Sequence, residues 1–345
     1  MVFLMILTVT YLSMDFSYTH TDNFFLDSTR KTEKIYNIGI GLRNFTKSAD
    51  LVYSFNVSGT LLSFNPEYNQ LKPQIGISRF KSFLNPGSYM DFGATVSYNI
   101  SSTYSFFQIE PYFGHKVYLT DFLLLRDVFY LTYTKSGNSF AFDLLPELYC
   151  TSEFLSFTFM FAEKMGIRNL YQGRLVSSGG SGHLPHETII FDDYLFLTSY
   201  TSIRVARNLF DGVGLYYEFG YRFRPSWTLV SARSIVDVND PLNSDTYAYK
   251  GPAHTLGLSV FASKLRFGVG ILYQIRHYEL QDTLTSLILR DDSYFSGQAN
   301  LKLTLIDSVF EFGLNGTFSY TQNFSDFDLY TFHETFWSAG FYFNF

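Results

Sequence analysis

The sequence has little charge, little proline and no long apolar run. Only 16% of its 345 residues are charged and 9 are proline, whereas soluble globular domains carry about 25% charged residues. No segment reaches the roughly 20 consecutive apolar residues of a membrane-spanning helix. The single cysteine, Cys150, excludes an internal disulfide and a thiolate metal cluster, and we interpret it as a small packed side chain. These absences argue against a helical membrane protein and against a disulfide-stabilised domain.

Aromatic residues are abundant instead, with 39 Phe and 27 Tyr. The mean hydropathy is nevertheless only +0.03, so polar residues must alternate with the rings. A chain that is apolar by face and not by segment is typical of strands, and in a bilayer strands are stable only as a closed barrel. The formal net charge of −6 argues against nucleic-acid binding, which requires concentrated basic surface.

Period-two alternation runs along the whole chain and is clearest in its last thirteen residues, His333–Phe345. There Phe341, Phe343 and Phe345 share one face, and Gly340 lies on the other. An aromatic face backed by small or polar groups suits lipid on one side and water on the other. Similar alternation predicts earlier strands near these segments: Val9–Thr19, Lys34–Arg43, Leu51–Leu61, Tyr89–Ile100 and 213–224.

Connections of two kinds alternate along the chain. Tight turns are predicted around Thr151–Ser152, Asn208–Leu209, Ser263–Lys264 and Ile306–Asp307. Longer polar loops are predicted over Thr21–Glu33, Gly166–His186, Ser226–Gly251, Gln281–Asp292 and Gln322–Phe332. Short turns on one side and long loops on the other are typical of bacterial outer-membrane barrels.

These patterns predict an all-β fold, a transmembrane antiparallel up-and-down β-barrel of about sixteen strands, with fourteen as the alternative count. The barrel is expected to be a single domain over residues 1–345. Its apolar start, 1–8, is either the remnant of a signal peptide or the beginning of the first strand. A barrel of this size is wider than its side chains can fill, so we expect a water-filled lumen unless loops fold into it.

Charged residues on the polar faces of these strands are expected to line the lumen, because charges facing lipid are costly. Such a lining either selects diffusing solutes by charge or only forms interior salt bridges. Arg222, Arg224, Arg266 and Arg276 are expected to form a basic ladder along one wall. The pore-lining candidates are Arg43, Asp91, Asp143, Glu147, Glu218, Arg222, Arg224, Arg266, Arg276, Lys302 and Glu311.

No segment predicts catalysis, a cofactor or a metal site. His183 and His186 lack further ligands at a suitable spacing, and the Asp- and Asn-rich segment 237–245 lacks the spacing of a calcium loop. His20 lies among hydroxyl residues, as a lipid-acting barrel enzyme would require, but no partner serine is near it in the sequence. We therefore expect no catalytic residues, and we interpret these segments as surface loops. Segments 166–186 and 226–251 are the candidates for a plug.

The first predicted hairpin resembles the opening of a family of bacterial outer-membrane β-barrel porins. The resemblance is carried by Tyr18–Asp27, with its Asp22-Asn23 pair before apolar residues, and by the alternating strand that ends at Gly41-Leu42. It implies an outer-membrane pore with no catalytic residues. It also implies that the apolar row of Phe341, Phe343 and Phe345 is recognised by the barrel-assembly machinery.

The function predicted from the sequence is an outer-membrane, porin-like channel for passive diffusion or export of hydrophilic solutes. Its expected partners are outer-membrane lipid, the barrel-assembly machinery, and small hydrophilic solutes or an exported polymer. Two alternatives remain: a loop-plugged barrel that binds another surface as an adhesin does, and a barrel enzyme that acts on lipid.

Overall fold

The structure is a computed structural model. No helix of the described residues is long and apolar enough to cross a membrane. The residues that the structure describes are 8–22, 32–46, 50–66, 69–82, 87–101, 105–134, 139–144, 147–152, 157–178, 186–223, 249–281, 287–308, 310–328 and 331–345.

Alternating aromatic, β-branched and polar residues favour extended structure, and these residues form strands that share one antiparallel sheet. In chain order the strands are β1 (Thr8–Thr21), β2 (Glu33–Thr46), β3 (Leu51–Leu62), β4 (Gln70–Ser82), β5 (Tyr89–Ser101), β6 (Phe106–Thr120), β7 (Leu123–Thr134), β8 (Ser139–Leu144), β9 (Glu147–Ser152), β10 (Phe157–Ser178), β11 (His186–Phe210), β12 (Val213–Phe223), β13 (Tyr249–Phe261), β14 (Leu265–Gln281), β15 (Leu287–Asp307), β16 (Glu311–Ser325) and β17 (Phe332–Asn344).

β8 and β9 are two halves of one barrel strand. Both lie between β7 and β10: Glu147 of β9 pairs with Arg126, and Leu144 of β8 pairs with Phe129. On the other side the same two residues pair with Ala162 and Met165 of β10. The barrel therefore has sixteen strand positions, as the sequence predicts, and the alternative count of fourteen is wrong.

The barrel closes where β1 meets β17. Their ladder runs from Ser13 opposite Asn344 to Thr21 opposite Phe336. Beyond it, Leu12 and Phe345 exchange two backbone hydrogen bonds of 2.8 Å. Because β1 also pairs with β2, no strand is left as a free edge.

The two faces of each strand differ in exposure, which separates the inside of the barrel from the outside. On β12, Glu218 and Arg222 are 8% and 7% exposed, whereas Phe219 and Phe223 are 40% and 52% exposed. Side chains on the concave side of a closed sheet crowd together, so the buried row faces the lumen and the aromatic row faces outward. Cross-strand pairing carries this assignment from strand to strand around the barrel.

Short turns gather at one end of the barrel, which we call the short-turn end, and the opposite end is the long-loop end. Asp211–Gly212 joins β11 to β12, slightly later than the predicted Asn208–Leu209. Gly212 has φ 76°, and a Cβ there would lie 2.2 Å from the carbonyl oxygen of Phe261. A residue with a side chain would therefore strain this turn.

Two predicted loops are mostly strand. β10 continues to Ser178 and β11 begins at His186, so the segment 166–186 is not one long loop. Similarly, β14 ends at Gln281 and β15 begins at Leu287, inside the predicted loop Gln281–Asp292. Neither stretch alternates strictly between apolar and polar residues in the sequence, so alternation does not predict these strands. The start of the chain, 1–7, and the predicted plug segment from 226 to 248 lie outside the described residues.

Candidate functional site

The inner wall of the barrel is the candidate functional site. Arg224 and the side chain of Asp143 lie outside the part of the protein that the structure describes. The other pore-lining candidates all occupy inward positions in the strand register: Arg43, Asp91, Glu147, Glu218, Arg222, Arg266, Arg276, Lys302 and Glu311.

Near the long-loop end, arginines of β12 and β14 stack on tyrosines. The guanidinium carbons of Arg222 and Arg276 lie 4.4 and 4.9 Å from the ring centre of Tyr249 on β13, which lies between them in the sheet. Arg276 also lies 3.5 Å from the ring centre of Tyr294 on β15. Stacking on a ring uses the face of the guanidinium group, whereas its hydrogen-bond donors lie along the edges. Together with Tyr278 of β14 and Arg290 of β15, these residues form what we call the arginine–tyrosine cluster.

The cluster continues onto β15. Arg290 lies 3.8 Å above the ring of Tyr278, and its Nη2 atom is 3.1 Å from Oδ2 of Asp292. The side chains of Arg290 and Asp292 are only 2% and 1% exposed. Asn323 Nδ2 donates to the same carboxylate oxygen at 2.9 Å. A buried ion pair with an additional donor is held in one geometry, so this part of the wall is pre-positioned.

Gly251 lies on β13 between the two stacked arginines. It pairs with Arg222, and the register of β13 and β14 places it level with Arg276. Its φ of 148° favours glycine, and a Cβ there would lie 2.1 Å from the carbonyl oxygen of Ile275. A residue with a side chain would therefore strain β13 against β14 at this point. Gln274 Oε1 then accepts hydrogen bonds from Arg276 Nε and Nη2 at 2.9 and 2.7 Å.

A second ion pair lies next to the cluster, on the side of the short-turn end. Arg204 of β11 contacts Glu218 of β12, with 2.6 Å from Nε and 2.5 Å from Nη2 to Oε2. Tyr200 donates its hydroxyl to the other carboxylate oxygen at 3.3 Å. The Arg204 guanidinium lies 4.8 Å above the ring of Tyr216. Guanidinium groups and aromatic rings thus recur together along this wall.

Arg266 is not close to Arg276, although both belong to β14. It lies near the short-turn end, with Lys302 opposite it on β15. These two cations and the polar side chains around them border an inner recess of about 450 Å³. Lys302 Nζ lies 3.5 Å from Glu311 and 4.0 Å from the ring centre of Tyr342, whereas Arg266 forms no ion pair with an acid in the described part of the chain. The predicted ladder is therefore two basic regions at opposite ends of one wall.

The opposite wall, formed by β5 to β9, also carries inward charged side chains. Glu147 accepts a hydrogen bond of 2.8 Å from Tyr149, and Arg126 lies 3.9 Å from it. Asp91 of β5 also points inward. Sequence reasoning did not identify Arg126, nor Arg204, Arg290 and Asp292. Arg290 and Asp292 escaped notice because they fall in a segment predicted as a loop, although Arg290, Asp292 and Tyr294 do alternate with other residues there.

The aromatic row of the last strand lies on the outside, as predicted. Phe341 is 45% exposed, and its ring stacks on Phe16 of β1 at 5.4 Å between centres. Phe343 lies in the same outward row, opposite Met14 of β1. Phe345 is exposed beyond the end of β17.

His20 also lies on the outside, in the row that contains Trp337, and their ring centres are 5.8 Å apart. Within the described residues, no three His, Cys, Asp or Glu side chains are grouped to hold a metal ion. His183 and segment 237–245 lie in stretches that the structure does not describe, as does the side chain of His186.

Comparison with known proteins identifies the fold. No protein-family model matches the sequence, and no curated protein matches it. The barrel does match solved structures. A BenF-like porin from Pseudomonas fluorescens aligns with a TM-score of 0.56 and 11% identity over 98% of each chain. A double variant of OccD1 (OprD) aligns with a TM-score of 0.52 and 8% identity, covering 97% of this chain and 95% of the other.

OpdK from Pseudomonas aeruginosa, solved with vanillate, aligns with a TM-score of 0.52 and 10% identity, covering 97% of this chain and 99% of the other. At such low identity the likeness establishes the fold alone. The prediction of a bacterial outer-membrane type of barrel is confirmed at that level: the chain folds as these outer-membrane porins do.

Proposed function

We propose that this protein forms a water-filled pore in the bacterial outer membrane, through which hydrophilic solutes pass by passive diffusion or export. The observation that carries the proposal is the opposite chemistry of the two sides of one closed sheet. On β12 the inward row contains Glu218 and Arg222, and the outward row contains Tyr217, Phe219 and Tyr221. Such a wall requires water inside and hydrocarbon outside.

The number of strands supports a conducting lumen. Barrels of about 16–18 strands are too wide for their side chains to fill and leave an aqueous channel. One of the solved structures described above, the BenF-like protein, is a porin by name, which agrees with this function. Because the lumen is wide and the fold is shared with a porin, we propose a pore and not an enzyme.

The arginine–tyrosine cluster favours anions among these solutes. It brings three guanidinium groups together on the inner wall, those of Arg222, Arg276 and Arg290. A solute with a carboxylate or phosphate can accept hydrogen bonds from guanidinium edges, and rings of charged side chains set selectivity in pores.

The outer side defines the remaining partners that we propose. Outer-membrane lipid would cover the aromatic rows, and the barrel-assembly machinery would recognise the row of Phe341, Phe343 and Phe345. These proposals share one basis, namely the outward position of the last two strands' aromatic residues.

The test is conductance of the refolded full chain in planar lipid bilayers. We expect ion-conducting steps, and a reversal potential in a potassium chloride gradient that indicates anion preference. Folding is checked separately by heat-dependent mobility in gel electrophoresis. A folded, inserted barrel that does not conduct would overturn the pore and favour a plugged, surface-binding barrel. Lipid hydrolysis that is lost in His20→Ala would instead favour an enzyme.

A further inference from the structure

Four ionisable residues lie on the outside of β4 to β7, where neighbouring outward positions are apolar. Arg79 and Lys81 of β4 are exposed and follow the outward residue Ile77, which is 46% exposed. His115 of β6 and Asp127 of β7 occupy outward positions directly opposite each other. No ion pair involves Arg79 or Lys81 within the described residues.

His115 and Asp127 lie within the apolar part of this surface and not at its rim. His115 Nδ1 contacts Asp127 Oδ1. The neighbouring outward pairs are Phe113 opposite Phe129 and Val117 opposite Leu125, one on each side along the strands. A polar pair enclosed by apolar pairs is unfavourable against hydrocarbon. This surface therefore requires a different neighbour.

A second carboxylate faces outward nearby, on β10. Glu163 lies opposite Thr201 of β11, next to the apolar pair of Phe161 and Ile203. The hydroxyls of Ser199 and Thr201 donate to its two carboxylate oxygens. No cation pairs with Glu163 in the described part of the chain. Two acids thus lie on the same flank of this outer surface.

The arrangement is self-complementary. Phe92 of β5 and Phe113 of β6 face outward opposite each other and are 45% and 39% exposed. Arg79 flanks them on β4, and Asp127 flanks them on β7. Both charged residues lie toward the short-turn end, because β4 ends soon after Arg79, at Ser82, and β7 begins shortly before Asp127, at Leu123. A two-fold axis that runs parallel to the barrel axis, just outside Phe92 and Phe113, would bring Arg79 of one copy toward Asp127 of the other.

We propose that the outward surface of β4–β7 is the contact between two copies of this chain in the membrane. Phe92 and Phe113 form the centre of the contact, and Arg79 and Lys81 of each copy face Asp127 of the other. This inference goes beyond the pore and requires only that the barrel lies in a membrane. A second copy fits better than lipid or an unrelated basic partner, because both signs of charge occur on opposite flanks of one aromatic centre.

The test uses engineered cysteines in a Cys150→Ser background, reconstituted in lipid vesicles. Residues near a two-fold axis approach their own copies, so Phe92→Cys and Phe113→Cys are each expected to give a disulfide-linked dimer on oxidation. The matched control is Ile40→Cys, which faces outward on β2 and is 40% exposed, and is expected to give no dimer. Heat-dependent mobility confirms that each variant is folded.

Equal cross-linking of the control, or no dimer from either phenylalanine position, would overturn the proposal. So would a cross-linked product that contains a different protein. The charge pairing is tested by adding Arg79→Glu to the Phe113→Cys variant, which is expected to lower the dimer yield about tenfold or more. Adding Asp127→Arg as well should restore the yield. A double variant that is no better than Arg79→Glu alone would contradict the pairing.

Discussion

The outer surface of this barrel has two unlike regions. Along β16, β17, β1, β2 and β3 the described outward positions hold no Asp, Glu or Arg, and their one lysine, Lys34, lies at the long-loop end. Along β4 to β7 the outward rows contain Arg79, Lys81 and Asp127. Strand periodicity thus fixes which residues face outward, and the residue types then show what each region contacts.

Contacts between aromatic side chains stabilise the uncharged region. Phe16 and Phe341 lie 5.4 Å apart between ring centres, and Phe312 lies 6.5 Å from Phe341. Such pairs add to the stability gained by removing apolar surface from water. A lipid bilayer can supply the rest of that gain on this side. The charged region gains less from lipid, which is why its neighbour is expected to be protein.

The largest effect is expected from placing a charge in the uncharged region. Phe341→Arg should destabilise the inserted barrel by up to about 2–4 kcal/mol, which is the cost of a cation that faces hydrocarbon at the bilayer centre. The measurement is urea-dependent unfolding in lipid vesicles. The matched variant in the charged region is Arg79→Leu, which removes an outward cation and should leave the free energy of unfolding of the single barrel unchanged or higher.

Equal destabilisation by Phe341→Arg and Arg79→Leu would mean that the two regions do not differ. A Phe341→Arg barrel that is as stable as the unchanged protein would also contradict the assignment of the outward row of β17 to lipid.

A smaller effect is expected on β10 and β11, where hydroxyl groups already satisfy an outward carboxylate. Replacing both Ser199 and Thr201 by Ala leaves the Glu163 carboxylate without its two hydroxyl donors. An acceptor that is left unsatisfied costs about 1–3 kcal/mol, and the double variant should lose about that much. The same vesicle unfolding assay measures it.

Adding Glu163→Leu to that double variant provides its control. Once the carboxylate is gone, no unsatisfied charge remains, and most of the lost stability should return. If the triple variant is less stable than the double variant, Glu163 contributes through some contact other than these two hydroxyls.

The sequence predicts the strands best where the two faces meet different media. On β12 every outward position is apolar or aromatic and the inward row contains Gly, Glu and Arg, so strand and register both follow from the pattern. The last part of β10, the first part of β11 and the start of β15 were predicted as loops, because their sequences do not alternate strictly between apolar and polar residues. The break between β8 and β9 was also not predicted. Its position depends on pairing with β7 and β10, which are distant from each other in sequence.

The inner wall was predicted only in part, for a related reason. Alternation places Arg222 and Arg276 on the inward face, but it does not show that both stack on Tyr249. That contact depends on the register of β13 between β12 and β14. Arg266 shares the inward face of β14, yet its distance along the strand puts it at the other end of the barrel.

The smallest effect on stability is expected from the inner wall, where water tolerates either residue type. Arg222→Ala removes one cation stacked on Tyr249, a contact of about 0.5–2 kcal/mol, and should leave insertion intact. It should nevertheless shift the reversal potential in a salt gradient toward the value for cation preference, because one positive charge leaves the lining of the pore.

Lys34→Ala is the matched control: it also removes one cation, but from the outer side, and should not move the reversal potential. If Arg222→Ala impaired insertion as strongly as Phe341→Arg, the inner and outer rows of β12 would be exchanged. The distinction between two outer regions would then lose its basis, since both are defined by the same register.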